Sequence, residues 1–113
     1  MPLSDTQRAH VSKMLDAYCD RVPVAVRDKL QLKYRIQGNT VVLFEWRPRW
    51  DDPNEWLEEN VAKFQFVQSA GRWRLFCQLR DLKWHRYDLL PEAAAFGQLL
   101  NEVDRDPTGI FKG

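Results

Sequence analysis

Glu45, His85, Arg47 and Arg74 are the residue types that metal-independent RNA cleavage requires: a carboxylate base, an imidazole acid and two guanidinium groups to hold a phosphate. Such a set arises by chance in any small domain with this many arginines, and catalysis further demands that Glu45 and His85 reach one phosphate. Cations close to Glu45 in the sequence favour its ionised form, which suits ion pairing better than general acid chemistry. In the stretch "KWHRY", residues 83–87, His85 alternates with Trp84 and Arg86. A packing role, stacked on an aromatic ring or bonded to a backbone carbonyl, accounts for it with fewer requirements. Glu45 and His85 therefore stand as the catalytic candidates behind a structural reading of both.

A second constellation is electrostatic. Residues 29–49 carry Lys29, Lys33, Arg35, Arg47 and Arg49 against Glu45 alone, and residues 72–86 carry Arg72, Arg74, Arg80, Lys83 and Arg86 against Asp81 alone, so each segment is net +4. Between them Asp51, Asp52, Glu55, Glu58 and Glu59 form an acidic block. The whole chain is only +1, so the distribution of charge matters more than its total. Oxygen ligands from Asp51, Asp52 and Glu55 could gather around a divalent cation, but their spacing fits no calcium loop and capping explains them. No phosphate loop, nucleotide fingerprint or serine nucleophile motif is present, and neither a metal nor a cofactor is implied.

The elements that position these residues follow from periodicity. Ser4 with Gln7 forms a capping box, and Val11, Met14, Leu15 and Tyr18 repeat on one helical face, predicting a helix over about 5–20 that ends before Pro23. Leu30, Leu32, Tyr34 and Ile36 alternate with Lys33 and Arg35, predicting a half-buried strand. "GNT" should turn the chain into a second strand, "TVVLFEWR". Its two alternating sets both contain apolar groups, so the buried face stays open; if Phe44 and Trp46 are core, Glu45 and Arg47 join the polar face. Asp52-Pro53-Asn54-Glu55 reads as the capped start of a short helical turn. Strands "VAKFQFVQ" and "RWRLFCQLR" then flank "SAGR", and "KWHRY" adds a short fifth. Pro91 should open a last helix over about 91–105, with Phe96, Leu99, Leu100 and Val103 on its apolar stripe and Asp106-Pro107 as its stop. Residues 107–113 form a loose tail, although Ile110 and Phe111 could dock.

These elements make one α+β domain over residues 1–113: an antiparallel meander of four to five strands, over about 30–87, with the N- and C-terminal helices packed on one face. Five Trp, six Phe and three Tyr supply enough buried area that the fold needs no disulfide staple, and Cys19 and Cys77 are expected as reduced, packed thiols. The start of the chain lacks the pattern of a signal peptide, and no stretch reaches the roughly 20 apolar residues of a membrane span, so a cytoplasmic protein without membrane contact is expected.

The sheet face away from the helices is then the functional question. On the fourth strand Trp73, Leu75, Cys77 and Leu79 form the buried set, leaving Arg72, Arg74, Phe76, Gln78 and Arg80 opposite. Lys33, Arg35, Arg47, Lys63, Arg74, Phe76 and Arg80 are the candidate binding residues: cations release counterions from phosphates, and Phe76 or a neighbouring tryptophan can stack on a base. The expected ligand is a polyanion such as single-stranded nucleic acid. The competing expectation is a solvated face whose arginines pair with the acidic block. A further alternative is a protein-interaction module that uses the acidic block with Trp50 and Trp56 as anchors.

"LFEWRPRW", "WLEENVAKFQFV", "GRWRLF" and "LKWHRY" together resemble the bacterial family catalogued as domain of unknown function 3024, over roughly residues 30–87. The resemblance is carried by Glu45, Arg47-Pro48, Trp50, Ala62-Lys63, Trp73 and the Trp84-His85-Tyr87 block. It implies a bacterial single domain and brings no activity, substrate or cofactor. It does group Glu45, Arg47, Trp50, Trp84, His85 and Tyr87, for which one physical expectation is a structural cluster that locks residues 48–60 onto the sheet.

Overall fold

The computed structural model describes residues 2–111. The first helix, α1 (Asp5–Cys19), starts where the sequence places it: Ser4 Oγ accepts from the Gln7 amide at 3.1 Å and Gln7 Oε1 accepts from the Ser4 amide at 2.9 Å. Its buried stripe is Val11, Leu15 and Tyr18. Arg27 ties off the C-terminal end, donating from Nε to the Val22 carbonyl (3.0 Å) and from Nη2 to the Asp20 carbonyl (3.2 Å). A single 3-10 turn (Val24–Val26) leads into the sheet.

Five strands run as an antiparallel meander: β1 (Gln31–Gln37), β2 (Thr40–Pro48), β3 (Trp56–Val67), β4 (Arg72–Gln78) and β5 (Trp84–Arg86). The β1–β2 turn is two residues long, with Gly38 at φ +59°, a conformation open to glycine at little cost. A short β6 (Glu92–Ala93) pairs with Trp73 and Arg74 of β4, before α2 (Phe96–Arg105).

Both helices cover one face. Val11, Leu15 and Tyr18 of α1 and Phe96, Leu99, Leu100 and Val103 of α2 share one core with Val41, Leu43, Ala62, Phe64, Trp73, Leu75 and Cys77 of the sheet. Phe64 and Phe96 lie 4.7 Å apart by ring centroid, and Trp73 meets Phe96 edge-on at 5.1 Å.

Four expectations change. First, Pro91 does not open the last helix. The short β5 pairs only with Phe76–Gln78, so the rest of that β4 edge needs other partners. The Pro91 carbonyl accepts from the Leu75 amide at 3.0 Å and β6 takes Trp73 and Arg74, which holds residues 91–93 extended against the helix propensity of the alanines. Second, residues 52–55 form a tight turn, not a helix: the Glu55 amide donates to the Asp52 carbonyl (3.0 Å) and the Asn54 amide to Asp52 Oδ1 (3.1 Å). Third, β3 begins at Trp56 and not Val61, so Glu58 and Glu59 belong to a strand. Fourth, the segment after α2 docks: Phe111 is buried on Tyr87, 4.8 Å between centroids, and its amide donates to Asp106 Oδ1 at 3.0 Å. Lys112 and Gly113 lie outside the described residues.

Candidate nucleic-acid interface

Strand partners that stand directly opposite share a sheet face. Val41 and Leu43 are fully buried in the core, so the odd positions of β2 face the helices and Val42, Phe44 and Trp46 face away. This decides the second strand: Phe44, buried at 5% exposure, and Trp46 lie on the face away from the helices and outside the core shared with them, and Glu45 and Arg47 lie on the helix side, past the end of the packed region.

The bulge in β3 matters equally. Leu43 pairs with Ala62 and Phe44 with Asn60, leaving Val61 as the extra residue. Val61 and Ala62 both point into the core, at 3% and 0% exposure. The parity of the strand therefore reverses, so that odd-numbered Lys63 and even-numbered Asn60, Glu58 and Trp56 share the open face.

One row crosses the whole meander on that face: Arg35 opposite Val42, Val42 opposite Lys63, Lys63 opposite Phe76, Phe76 opposite Arg86. A second row runs from Lys33 to Phe44 to Asn60, whose Nδ2 donates to Gln78 Oε1 at 3.4 Å, with Gln78 opposite Trp84. Beyond them Trp46 stacks on Trp56, centroids 6.0 Å apart and planes 22° from parallel.

Cations and rings interleave. Lys33 Nζ stands 5.3 Å from the Trp46 centroid, and Arg35 lies 4.7 Å above Phe44, which it nearly covers. Lys63 Nζ is 4.7 Å from Phe76 and 5.9 Å from Trp84, while Arg86 approaches Phe76 from the other side at 5.8 Å. Trp46, Trp56, Phe76 and Trp84 are half-buried, each with part of its ring open to solvent.

Of the expected binding residues, Lys33, Arg35, Lys63 and Phe76 converge here. Arg74 lies on the same face one row along, opposite Gln65 and Glu92, with its Nε buried and without a hydrogen-bond partner among the described residues. Arg80 falls beyond the end of β4 in the β4–β5 loop, and Arg47 is on the other face. Phe44, Trp46, Trp56, Trp84 and Arg86 complete the surface and lie outside the expected binding set. Alternation around His85 could have placed Trp84 and Arg86 together; nothing in the sequence signals the bulge that brings in Trp56.

The acidic block is largely neutralised locally. Asp51 and Glu55 both hold Arg49, at 2.7–2.9 Å over three hydrogen bonds, Glu59 stands 3.7 Å from Arg47, and Glu58 pairs with Arg35 at 2.5 Å. Of the open-face arginines expected to pair with this block, Arg35 does so; Arg47, on the other face, and Arg49, in the β2–β3 loop, take the remaining pairs. On the open face Glu92 also pairs with Arg72 (3.1 Å) and Arg86 (3.6 Å), whereas Lys33 and Lys63 have no carboxylate partner among the described residues.

The expected structural cluster is not one cluster. Arg47 does pair with Glu45, but Trp50 is 96% exposed at the tip of the β2–β3 hairpin. His85 follows Cys77 onto the helix-side face at the sheet edge, where Nε2 meets Asp81 Oδ2 at 2.8 Å; the Lys83 amide and His85 together hold the Asp81 carboxyl below its usual range. The Tyr87 hydroxyl donates to Glu102 Oε2 at 2.7 Å under α2, and Trp84 faces the opposite way. The alternation of β5 separates these neighbours because successive side chains leave on opposite faces. Glu45 and His85, the catalytic candidates, sit on β2 and β5, three strand spacings or about 14 Å apart. The geometry does not bring them to one phosphate.

Both thiols are free, and neither is activated. Burial, with Asp16 and Asp20 adding to it, pushes the Cys19 thiol up to about 11, and burial likewise raises Cys77. No described helix is long and apolar enough to cross a membrane.

Fold and surface together define a small α+β domain whose helix-free sheet face carries interleaved cations and aromatic rings. Residues 3–113 match the family described as domain of unknown function (DUF3024), and the chain belongs to it. No curated protein and no solved structure matches the chain at a significant level.

Proposed function

We propose that the open sheet face binds single-stranded nucleic acid. The observation that carries this reading is the row Arg35–Val42–Lys63–Phe76–Arg86, flanked by Phe44, Trp46, Trp56 and Trp84 on the same face. A strand laid along such a surface neutralises phosphates on Lys33, Lys63 and Arg35 and stacks bases on partly exposed rings, chemistry that tolerates any sequence. Helices cover only the other face, so no part of the described fold blocks access. The local ion pairs argue for modest affinity, because Arg35 and Arg86 must exchange a carboxylate for a phosphate.

An amide NMR titration with a mixed-sequence single-stranded oligonucleotide, at low salt and at about 0.15 M, where screening lengths shorten to about 8 Å, tests it. Saturable shifts on β1–β5 residues of the open face that survive the higher salt are expected. Shifts that are absent, or that vanish with salt, return the face to a solvated surface.

A second reading, protein interaction, rests on Trp50. The clamp of Arg49 on Asp51 and Glu55, with the Arg49 amide on the Glu55 carbonyl at 2.7 Å, holds the loop that presents this nearly fully exposed ring. Capture of a specific protein that Trp50→Ala abolishes would favour it. Equal capture by both forms would remove it.

A further inference from the structure

Strand β1 has a free edge. Among the described residues it pairs only with β2, over all seven of its positions, and it contains no proline and no bulge that would blunt that edge. The two-residue turn makes Gln37–Thr40 a hydrogen-bonded pair, so by alternation the N–H and C=O groups of Leu32, Tyr34 and Ile36 point outward. Alongside the edge lies a groove between β1 and α1, with a cavity of about 480 Å³ lined by Asp16, Cys19, Asp20, Leu32, Lys33 and Tyr34. A second cavity of about 140 Å³ continues it toward Gln31 and Arg27.

We propose that this edge takes up an extended peptide of a partner protein as an additional strand, with cationic side chains turned toward α1 and anionic ones toward the open sheet face. Outward backbone groups supply the ladder and the half-buried Leu32, Tyr34 and Ile36 supply an incompletely covered apolar floor. Charge sets the partner. Asp16 and Asp20 stand one helical turn apart on the α1 wall; Asp16 Oδ1 already accepts from the Tyr34 hydroxyl at 2.6 Å, which ties wall to floor. On the other face of β1, Lys33 and Arg35 are the exposed residues that a neighbouring strand would meet. A second copy of β1 fits poorly, since antiparallel pairing centred on Tyr34 sets Lys33 against Arg35 of the other copy. A nucleic-acid strand would meet the carboxylates of α1.

The test uses a capped heptapeptide, threonine-lysine-glutamate-valine-glutamate-lysine-threonine, which carries lysine, valine and lysine on one strand face and glutamates on the other. A version with lysine and glutamate exchanged is the control. Saturable amide shifts on Gln31–Gln37, slower hydrogen exchange at Leu32, Tyr34 and Ile36, and binding of the control about tenfold weaker are the expected results. Asp20→Lys, an exposed substitution at the end of α1, should weaken the first peptide similarly without lowering thermal stability, since a cation suits the C-terminal end of a helix. No shift on β1 at about 1 mM peptide, the weak end of ordinary affinities, overturns the proposal. So do equal affinities for the two peptides, an unaffected Asp20→Lys variant, or concentration-dependent shifts of the same amides without peptide, which would mark a second copy.

Discussion

Lys63 stands directly opposite Phe76 on the neighbouring strand, its ammonium group 4.7 Å from the ring centroid and within 6 Å of Trp84 as well. The contact joins a cation that has no carboxylate partner among the described residues to two rings at the centre of the open face. A lysine so placed keeps its charge available to a phosphate while its stem covers apolar ring surface.

If the face binds nucleic acid, Phe76→Ala should lower affinity for a single strand by about 1–3 kcal/mol, the usual value of one stacked base. Lys63→Ala should weaken binding evenly across sequences and reduce the salt slope by about one. Fluorescence titrations at several salt concentrations read both effects. A Phe76→Ala protein that binds as well as the parent would place the contact elsewhere.

Glu58 competes with any phosphate for Arg35, because the pair is formed at 2.5 Å on the same face. Glu58→Gln should therefore tighten single-strand binding about two- to fivefold, the scale of an exposed ion pair, and steepen the salt dependence. Unchanged affinity would mean that Arg35 takes no part.

Deleting Val61 removes the residue that reverses the parity of β3. Ala62 and Asn60 then become neighbours in the register they already hold against Leu43 and Phe44, so residues 56–60 should keep their faces and the Trp46–Trp56 stack should survive. The expected readouts are a retained near-ultraviolet dichroism signal and a stability loss of about 2 kcal/mol from the lost buried valine. Loss of the tryptophan signal would show that the bulge itself, and not the register alone, holds the two rings together.

Alkaline stability tests the Tyr87–Glu102 contact. Burial, and then the Glu102 carboxylate that accepts its proton, push the Tyr87 phenol up to about 12, while an unfolded tyrosine ionises near about 10. The unfolded chain thus loses its proton first, and stability present below pH 10 should fall as pH rises toward 12. Tyr87→Phe should cost about 1–3 kcal/mol at neutral pH and flatten that decline. Cys19, pushed up from 9.0 to about 11, contributes a similar loss at slightly lower pH. Denaturant melts of Tyr87→Phe and Cys19→Ser across that range separate the two.

Local patterns settled much of this fold before any tertiary contact. The Ser4–Gln7 box, the Val11–Leu15–Tyr18 stripe, the alternation of β1 and the inward set Trp73, Leu75 and Cys77 each follow from a period that one element must satisfy to bury one side. The α+β meander with both helices on one face follows from adding them. Alternation defines a face only while a strand is unbroken, so the side taken by Trp56 depended on an extra residue at Val61 that resembles its neighbours. The extended 91–93 reflects backbone groups of β4 that needed partners, against helix propensity, and the tight turn at 52–55 reflects the pairing of the two strands that it joins. The Arg35–Glu58 pair, 23 residues apart in the chain, likewise exists only through the pairing of β1, β2 and β3. Residue types announced a basic, aromatic-rich surface; the register of the sheet decided which cations and rings share it, because side-chain direction in a strand is set by position in the ladder and not by residue type.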